Sequence, residues 1–350
     1  FIYINSKFSR FSEHGTDLSA IILIFLMAIY YLESINNKNK VSNINFFNDY
    51  FIKINVLFII IISLKTFYII YLLIYFAWIL ESKRHFLEKN SLKLIFKNFS
   101  IYIFSLTLFF IFFKIFSNTG CLIYPASFTC FEQFSWSIPV STVEQMNLWY
   151  EQWAKAGAGP NFRVENPELY VSNFNWVSNW FKIYFFTKVS DNLLVILFIS
   201  LVTYFLFSFK SKKQNSKKPK YLFFYILIII LFIEWFINHP ALRYGGYSLL
   251  ALIIFIPLSL YLSNFKLNLL KLKKRIYFLI ILSTFIFFSK NIIRINDENN
   301  KYGYNPITSP FFYLNKDGFK INDRVEKFYE IKQEKTSTFF FILNKKTMSE

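Results

Sequence analysis

The sequence predicts an all-α, polytopic membrane protein with six or seven membrane-embedded helical segments and an outer loop that carries interfacial helices. Hydrophobic residues make up 55% of the 350 residues, and aromatic residues 22%. A water-soluble core of this length does not bury so many apolar side chains. The apolar residues also gather in long runs with lysine-rich connections between some of them, a pattern typical of membrane helices.

Five apolar runs have about the length of a membrane-spanning helix. They cover residues 99–116, 193–209, 221–237, 247–262 and 276–288. Two further runs lie upstream. The run 54–80 is longer than one span requires, so we expect either a strongly tilted helix or a break near Lys65. The run 18–32 is short for a hydrocarbon core of about 30 Å, and a re-entrant or interfacial helix explains it as well as a span does.

Lysine predicts which side of the membrane each connection occupies. Three lysine-rich connections are predicted to be cytoplasmic. They are 83–97, 210–220 and 266–275. Strict alternation then puts residues 118–190, the turn 239–245 and the tail from 290 onward on the outer face. Because the net charge of +18 lies largely beside apolar runs, we expect membrane lipid and not nucleic acid as a partner.

This pattern divides the chain into four parts. They are a truncated N-terminal part of the membrane domain at 1–117, an outer loop at 118–190, C-terminal membrane helices at 191–289 and an outer tail at 290–350, where we expect a small docked structure. Because the chain begins at Phe1 and its first methionine, Met27, lies within an apolar run, we expect residues to precede Phe1. Residues 1–17 lie outside if 54–80 is a bent pair or 18–32 does not cross, and inside if both are single spans.

Both cysteines of the chain and five of its seven tryptophans lie in the outer loop. In an oxidising compartment, Cys121 and Cys130 favour a disulfide over two free thiols. A metal site is not expected there, because the loop contains no histidine. Ser141 and Glu144 form a capping-box pattern that predicts a helix start, and we expect this helix to end before Gly157.

Four tryptophans of the loop are candidates for ligand contact. Trp149 and Trp153 share one face of the predicted helix, and Trp176 and Trp180 lie one helical turn apart. Their rings suit stacking on sugar faces or contact with lipid. The alternative is an aromatic belt that anchors the loop at the membrane surface.

Three ionisable residues are predicted to converge at the outer mouth of a helical hairpin. Glu234 lies within the run 221–237, where an unpaired carboxylate is unfavourable. His239 and Arg243 follow in the turn after it, and Tyr244 opens the next span. Because arginine binds phosphate in bidentate geometry, these residues are candidates for contacting a phosphate-bearing ligand. The alternative is a Glu234–Arg243 ion pair that locks two helices together.

Glu13 and Asp17 form a second acidic candidate near the start of the chain. They lie four residues apart before an apolar run, so a helical continuation puts both carboxylates on one face. Such a pair suits a general base or a site for a divalent cation. Asp17 is also interpretable as a first-turn acid that the helix dipole favours.

Three stretches of sequence carry a resemblance to a known class of enzymes. They are Gly-Cys-Leu-Ile-Tyr-Pro at 120–125 with Thr-Cys-Phe at 129–131, Phe-Asn-Trp-Val at 174–177, and His-Pro-Ala-Leu-Arg-Tyr-Gly-Gly at 239–246. In these the chain resembles bacterial polytopic membrane proteins that we associate with the GT-C class of glycosyltransferases. The resemblance covers residues 118–250. It implies a polyprenyl-phosphate sugar as donor, a glycan or lipid as acceptor and a catalytic acid in a first outer loop, which we expect to precede this chain.

The resulting hypothesis is a GT-C-like glycosyltransferase of cell-envelope glycan assembly on the outer face of the bacterial inner membrane. In it, Arg243 and His239 engage the carrier phosphate and Glu234 orients Arg243. Tyr244 and the four loop tryptophans contribute to a groove for sugar or lipid. Glu13 or Asp17 contributes an acid.

Other functions stay open at this stage. The chain has no P-loop, Asp-x-Asp pair, nucleophile elbow or His-Glu-x-x-His pattern, so a soluble-type nucleotide enzyme is disfavoured. A glycan polymerase or ligase is one alternative. A lipid or solute transporter is another, with Glu234 and Lys65 as pathway residues.

Overall fold

A computed structural model of the chain describes residues 2–7, 16–36, 44–86, 99–158, 164, 166–208, 212–213, 222–266 and 269–302. Within these residues the protein is almost entirely helical, which confirms the all-α prediction. In chain order the helices are α1 (Ile2–Lys7), α2 (Asp17–Asn36), α3 (Ile44–Leu64), α4 (Leu72–Phe86), α5 (Phe99–Thr119), α6 (Val140–Lys155), α7 (Pro167–Val171), α8 (Val177–Ser208), α9 (Leu222–Asn238), α10 (Gly246–Leu262) and α11 (Leu269–Tyr302).

Shorter elements connect some of these helices. Segments of 3₁₀-helix cover Thr66–Tyr71, Ser127–Thr129 and Leu242–Tyr244, and the part of α8 at Phe181–Val189 is π-helical. Strand β1 (Lys212–Lys213) pairs antiparallel with β2 (Phe265–Lys266).

Four of the described helices are long and apolar enough to cross a membrane. Their apolar segments are Asp17–Ile35, Ile101–Thr119, Val177–Ser208 and Leu270–Asp297, and shorter apolar helices occur at Thr66–Leu80, Leu222–Asn238 and Gly246–Leu262. Only helices satisfy all their backbone hydrogen bonds within a single lipid-embedded segment. The protein is therefore a helical membrane protein.

The chain divides into two compact units, one formed by residues 1–11 and 278–350 and the other by residues 12–277. In the described part of the first unit, the Asn5 side-chain amide donates a hydrogen bond to the Ser283 hydroxyl at 2.9 Å. Helix α11 continues to Tyr302, well past the end of the predicted run 276–288. The structure predicted for the tail lies, from residue 303 onward, outside the described residues.

The second unit, residues 12–277, is a helix bundle with an aromatic core. Helix α2 packs along α3, α3 contacts α5, and α10 contacts α2, α8 and α9. Tyr31 stacks on Phe224 with ring centroids 4.3 Å apart. Tyr75 stacks on both Phe58 and Phe104, at 5.7 and 5.3 Å. These buried rings fill the space between helices and account for part of the high aromatic content.

The long run 54–80 is broken at Lys65, which is one of the two alternatives that its length left open. Helix α3 ends just before this residue, which has extended backbone angles (φ −158°, ψ 115°). The chain then turns back, because Phe58 stacks on Tyr75 and Phe51 contacts Trp78, with ring centroids 6.1 Å apart in the second pair. Earlier residues of one helix thus meet later residues of the other, and the two helices form an antiparallel pair.

Two helices extend beyond their predicted apolar runs. Helix α2 has 20 residues, about 30 Å at 1.5 Å per residue, and is not the short segment expected from the run 18–32. Helix α8 begins at Val177, within the residues 118–190 predicted as the outer loop, and continues to Ser208. In both cases helical residues that are less apolar than the run itself extend the element, and hydrophobicity alone does not detect them.

The helix predicted in the outer loop is present as α6, but its predicted capping box is wrong. Ser141 lies inside the first turn, and Pro139 occupies the position before the helix without a side-chain hydrogen bond. The Glu132 carboxylate instead accepts a hydrogen bond from the backbone N–H of Val140 at 2.6 Å. An acid from the preceding loop thus satisfies one of the unpaired donors at the helix start.

The predicted disulfide between Cys121 and Cys130 is confirmed. It closes a hairpin in which the backbone N–H of Leu122 donates to the carbonyl of Thr129 at 3.1 Å. The Thr129 hydroxyl also bonds to backbone groups across the hairpin. The hairpin is therefore held by covalent and hydrogen bonds together.

Pro257 lies inside α10 without ending it. Proline lacks the N–H that would bond the carbonyl of Ile253, four residues earlier. Tyr225 of α9 donates its hydroxyl to that carbonyl at 3.3 Å. The hydroxyl satisfies a backbone group that water does not reach in a bilayer.

Candidate functional site

Three charged residues from distant parts of the chain meet at one end of the helix bundle. Asp17 is the first residue of α2, Lys65 lies between α3 and α4, and Arg243 lies in the 3₁₀ turn between α9 and α10. Arg243 donates two hydrogen bonds to Asp17 Oδ2, from Nε at 3.0 Å and from Nη2 at 2.8 Å. The Lys65 ammonium forms an ion pair with Asp17 Oδ1. We call these three residues the Asp17 cluster.

The Asp17 cluster carries more positive than negative charge. One carboxylate faces two cations, so one positive charge is not balanced within the cluster. The side chain of Asp17 is only 12% exposed, whereas those of Lys65 and Arg243 are 28% and 48% exposed. The cations therefore offer hydrogen-bond donors toward the outside while the carboxylate holds them from within. This arrangement suits an anionic ligand.

Aromatic rings flank both cations. The Lys65 ammonium lies 4.5 Å from the centroid of the Tyr244 ring, and the Arg243 guanidinium lies 5.7 Å from that of Trp153. Trp153 and Tyr244 contact each other edge to face at 5.9 Å. The quadrupole of each ring attracts the cation beside it. The rings thereby restrict the positions of both cations.

The turn that carries Arg243 is held at four consecutive residues by aromatic side chains. Trp180 donates to the carbonyl of residue 240, Trp235 donates to that of residue 241, and Tyr184 accepts from the N–H of residue 242. Tyr68 donates to the carbonyl of Arg243 itself, and all four distances are 2.9 Å. Because the backbone is hydrogen-bonded at four consecutive residues, Arg243 has little freedom to move away from the cluster.

Two glycines allow this turn to lie against the bundle. Gly245 has φ +103°, in the left-handed region that favours glycine, and a Cβ there would lie 2.6 Å from the Tyr71 hydroxyl. A Cβ on Gly246 would lie 2.4 Å from the ring of Trp235. The Gly-Gly pair at the end of the motif 239–246 thus has a packing reason, which is the close approach of the chain to two aromatic side chains.

His239 lies beside the Asp17 cluster as a neutral imidazole. Its ring contacts Phe67 and Tyr244, with centroids 5.2 and 5.8 Å away. Burial, together with the positive charges of Lys155 and Lys65, lowers the pKa of His239 to about 4. Its Nδ1 atom is buried and has no hydrogen-bond partner among the described residues. Near pH 7 the ring therefore offers a hydrogen bond to a ligand and not a positive charge.

The predicted role of Glu234 is wrong. Its carboxylate accepts a hydrogen bond from the Asn238 side chain at 3.1 Å, one turn along the same helix, while Arg243 is held by Asp17. Neither the predicted orientation of Arg243 by Glu234 nor the alternative ion pair between them is present. Asp17, at the start of α2, is instead the carboxylate within hydrogen-bond distance of Arg243.

The four candidate tryptophans lie in two different environments. Trp149 is 47% exposed and lies one turn before Trp153 on α6, and Trp153 is half-buried against Arg243, so neither ring is fully covered. Trp176 and Trp180 are only 0% and 2% exposed, so neither ring has a free face for sugar or lipid. Their described contacts are internal, since Trp180 holds the turn and Trp176 packs on Phe236.

A buried ion pair supports α6 beside the cluster. Lys155, which is 3% exposed, pairs with Glu151 one turn earlier. Its ammonium also lies 5.2 Å from the centroid of the Trp176 ring. The C-terminal end of α6 thereby contacts Trp176, which immediately precedes α8. Helix α8 carries Trp180 and Tyr184, which hold the Arg243 turn.

The acidic pair predicted near the start of the chain is described only in part. Asp17 is a first-turn helix acid, as one interpretation predicted, and it is also the centre of the cluster. Glu13 lies outside the described residues. Across the part of the chain that the structure describes, no group of three or more His, Cys, Asp or Glu residues is placed to hold a metal ion.

The sequence interpretation did not include Tyr68 or Tyr184 among the ligand-binding candidates, and it named Lys65 only as a pathway residue of the alternative transporter. A signal existed for Lys65, which is the only charged residue in the run 54–80. An isolated cation in an apolar run usually has a partner or a function. The two tyrosines gave no signal, because the chain has 23 of them and a hydrogen bond to a distant backbone leaves no pattern in the sequence.

The chain matches a family model described as a domain of unknown function (DUF8201) over residues 1–250. This match covers Asp17, Lys65 and Arg243 and includes the whole outer loop. No curated protein matches the chain, and no solved structure does. Because the matched residues make up more than half of the chain, the protein belongs to the DUF8201 family.

Proposed function

We propose that this protein is a GT-C-like glycosyltransferase of cell-envelope glycan assembly, and that the Asp17 cluster binds the phosphate of its lipid-linked sugar donor. The observation that carries the proposal is the pair of partly exposed cations, Lys65 and Arg243, held on one buried carboxylate beside aromatic rings. The resemblance of residues 118–250 to the GT-C class supports the sugar-transfer part of the proposal.

The geometry suits a phosphate group. Arg243 uses Nε and Nη2 to hold Asp17, so the two hydrogens of Nη1 are not engaged by this carboxylate. Lys65 has three N–H groups and directs one of them to Asp17. Arginine and lysine together recognise phosphate by shape and by charge. In this proposal the phosphate oxygens take the remaining donors, and Asp17 keeps both cations in place.

Neighbouring residues provide the contacts for the sugar. Trp153 and Tyr244 present aromatic rings beside the cations, and the exposed Trp149 lies one turn before Trp153 on α6. Aromatic faces of this kind cover the apolar side of a sugar ring. His239 is neutral, so its role is a hydrogen bond to the phosphate or to a sugar hydroxyl and not charge pairing. Trp176 and Trp180 act indirectly, by supporting α6 and the Arg243 turn.

The arrangement of helix ends supports a location on the outer face of a bacterial inner membrane. The start of α2, the α3–α4 turn and the α9–α10 turn all contribute to the cluster. The lysine-rich connection 210–220 joins the opposite ends of α8 and α9, and β1 pairs with β2 at that end. In this topology seven segments of the unit 12–277 cross the bilayer, because α3 and residues 66–86, on either side of the break at Lys65, each cross once. They are α2, α3, residues 66–86, α5, α8, α9 and α10.

The test of the proposal is loss of glycan when a cation of the cluster is removed. We expect Arg243→Ala and Lys65→Ala to reduce the cell-envelope glycan at least about tenfold, because each removes charge-assisted hydrogen bonds to the phosphate. The glycan is extracted from cells whose own gene is replaced by the variant, and the protein level is measured by immunoblot.

Lys53→Ala is the matched control for this experiment. Lys53 also pairs with an aspartate, Asp49, at 2.6 Å and also lies near tyrosine rings, but it belongs to α3 away from the cluster. We expect this variant to keep the wild-type glycan. Wild-type glycan in cells that contain Arg243→Ala at a normal protein level would contradict the proposal.

A further inference from the structure

Helix α5 and the hairpin that follows it share a continuous apolar surface. Only 6% of the apolar segment Ile101–Thr119 is buried inside the protein. Phe109, Phe110 and Phe113 are all more than half exposed. In a membrane protein such a helix side faces lipid. The disulfide hairpin begins immediately after this helix, with Gly120.

Four aromatic rings gather where the helix meets the hairpin. Phe116, from the last turn of α5, contacts Phe131, Phe134 and Trp136 with centroids 5.5–5.9 Å away. Phe134 and Trp136 stack at 5.2 Å. The rings of Phe131, Phe134 and Trp136 remain 40–47% exposed, and Phe128 at the hairpin tip is 90% exposed. We call these five residues the aromatic patch.

The sequence around the patch carries a single charge. Glu132 is the only Asp, Glu, Lys or Arg between Lys114 and Glu144, and its carboxylate accepts a hydrogen bond from the backbone N–H of Val140. An extramembrane hairpin in contact with water alone has no physical need for such a composition. The disulfide and the hydrogen bonds across the hairpin keep Phe128 exposed, because they prevent collapse of the tip onto the protein.

Lys114 indicates the depth of the patch in the membrane. This exposed lysine lies on the lipid-facing helix, five residues before its end at Thr119, which is about 7 Å along the axis. A lysine in this position extends its ammonium to the phosphate layer of the bilayer. The headgroup layer therefore lies beside the last turns of α5, at the level of Phe116 and the rings around it.

We propose that the aromatic patch is a membrane-anchoring surface that sits in the boundary between headgroups and acyl chains of the outer leaflet, with the disulfide hairpin as its rigid support. Aromatic rings favour this boundary because they combine apolar bodies with polarisable edges. The partner is the lipid bilayer itself, since the patch continues the lipid-facing side of α5. The proposal does not depend on the proposed function.

Tryptophan fluorescence tests this anchoring directly. Among the seven tryptophans, Trp136 and Trp149 are the most exposed, at 47% each. The full chain is reconstituted in nanodiscs of phosphatidylcholine with bromine near the top of the acyl chains. Bromine quenches tryptophan on contact. We expect a quenched component that Trp136→Phe removes and that Trp149→Phe, the matched control, leaves in place. Lipid brominated near the chain ends should quench this component much less.

A second variant keeps the test decisive if Trp136→Phe disturbs the fold. Phe128→Trp adds a reporter at the hairpin tip, and we expect it to increase the quenching by the shallow bromines. Quenching that survives in Trp136→Phe, or that disappears in Trp149→Phe instead, would overturn the proposal. So would a Phe128→Trp variant whose added fluorescence the shallow bromines do not quench.

Discussion

At the scale of single residues, Asp17 holds two cations from distant parts of the chain. Its two oxygens accept hydrogen bonds from Lys65, at Oδ1, and from Arg243, twice at Oδ2. In our proposal it is therefore a positioning residue. Its physical effect is to keep two cations close to each other, which their mutual repulsion would otherwise oppose.

We expect Asp17→Asn to lower the free energy of unfolding by about 1–3 kcal/mol, because a neutral amide leaves two neighbouring cations without a counter-charge. The partial exposure of both cations keeps the effect below that of a fully buried pair. The matched control is Asp49→Asn. Asp49 pairs with Lys53, and its side chain is 55% exposed, so we expect a change of less than about 0.5 kcal/mol.

Thermal unfolding of both variants in the same detergent measures this difference. The midpoint of Asp17→Asn should fall clearly below that of Asp49→Asn. Equal midpoints would show that the Asp17 cluster contributes no more to the stability of the protein than a surface ion pair does.

At the scale of elements, the turn between α9 and α10 is rigid because three helical segments hold it with four hydrogen bonds. Two of its hydrogen bonds come from α8, one from α9 and one from the 3₁₀ segment after Lys65. The outer loop leads directly into α8. The fold of the loop and the position of Arg243 are therefore mechanically connected through Trp180 and Tyr184.

We expect Tyr184→Phe to reduce glycan formation about three- to tenfold while lowering stability by only about 1 kcal/mol. The variant leaves the N–H of Leu242 without its acceptor and loosens the turn beside Arg243. Tyr225→Phe is the matched control, because it also removes one hydroxyl from a backbone partner, the carbonyl of Ile253.

Both tyrosine variants should show similar thermal midpoints, and only Tyr184→Phe should lose glycan. This comparison separates positioning of Arg243 from general loss of stability. An equal loss of glycan in both variants would mean that the effect comes from folding and not from the turn.

At the scale of the whole molecule, the lysine-rich connections and the Asp17 cluster lie at opposite ends of the same helices. The connection 210–220 follows the end of α8 and precedes α9, whereas the cluster lies after the end of α9. A positively charged connection resists transfer across the membrane, so it determines the orientation of the helices on each side of it. We therefore expect the orientation of the site to follow from charges that are far from it.

We expect a membrane-impermeant maleimide to label Gln145→Cys and not Gln214→Cys in intact cells. Gln145 is exposed on α6 in the outer loop, and residue 214 lies in the lysine-rich connection. The two native cysteines form a disulfide, so they do not compete for the reagent. In permeabilised cells both variants should react. Labelling of residue 214 alone in intact cells would invert the topology.

The sequence was informative wherever a property depends on neighbouring residues. Apolar length predicted the helices, the excess length of the run 54–80 indicated either a tilt or a break near Lys65, and two cysteines in one loop predicted the disulfide. It was less informative about ends, since α2, α8 and α11 extend beyond their apolar runs. A helix continues for as long as its backbone hydrogen bonds continue, and the hydrophobicity of the side chains does not show where those hydrogen bonds end.

By itself, the sequence determined that this protein is a helical membrane protein and that Asp17 and Arg243 are unusual enough to single out, and the side of the membrane that each connection occupies stays a prediction. Only the tertiary structure decided that these two residues are partners, although they are 226 positions apart. It also decided that Glu234 is not the partner of Arg243. Pairing across such a distance depends on how helices pack and where each side chain points, and one chain read alone contains no signal of that packing.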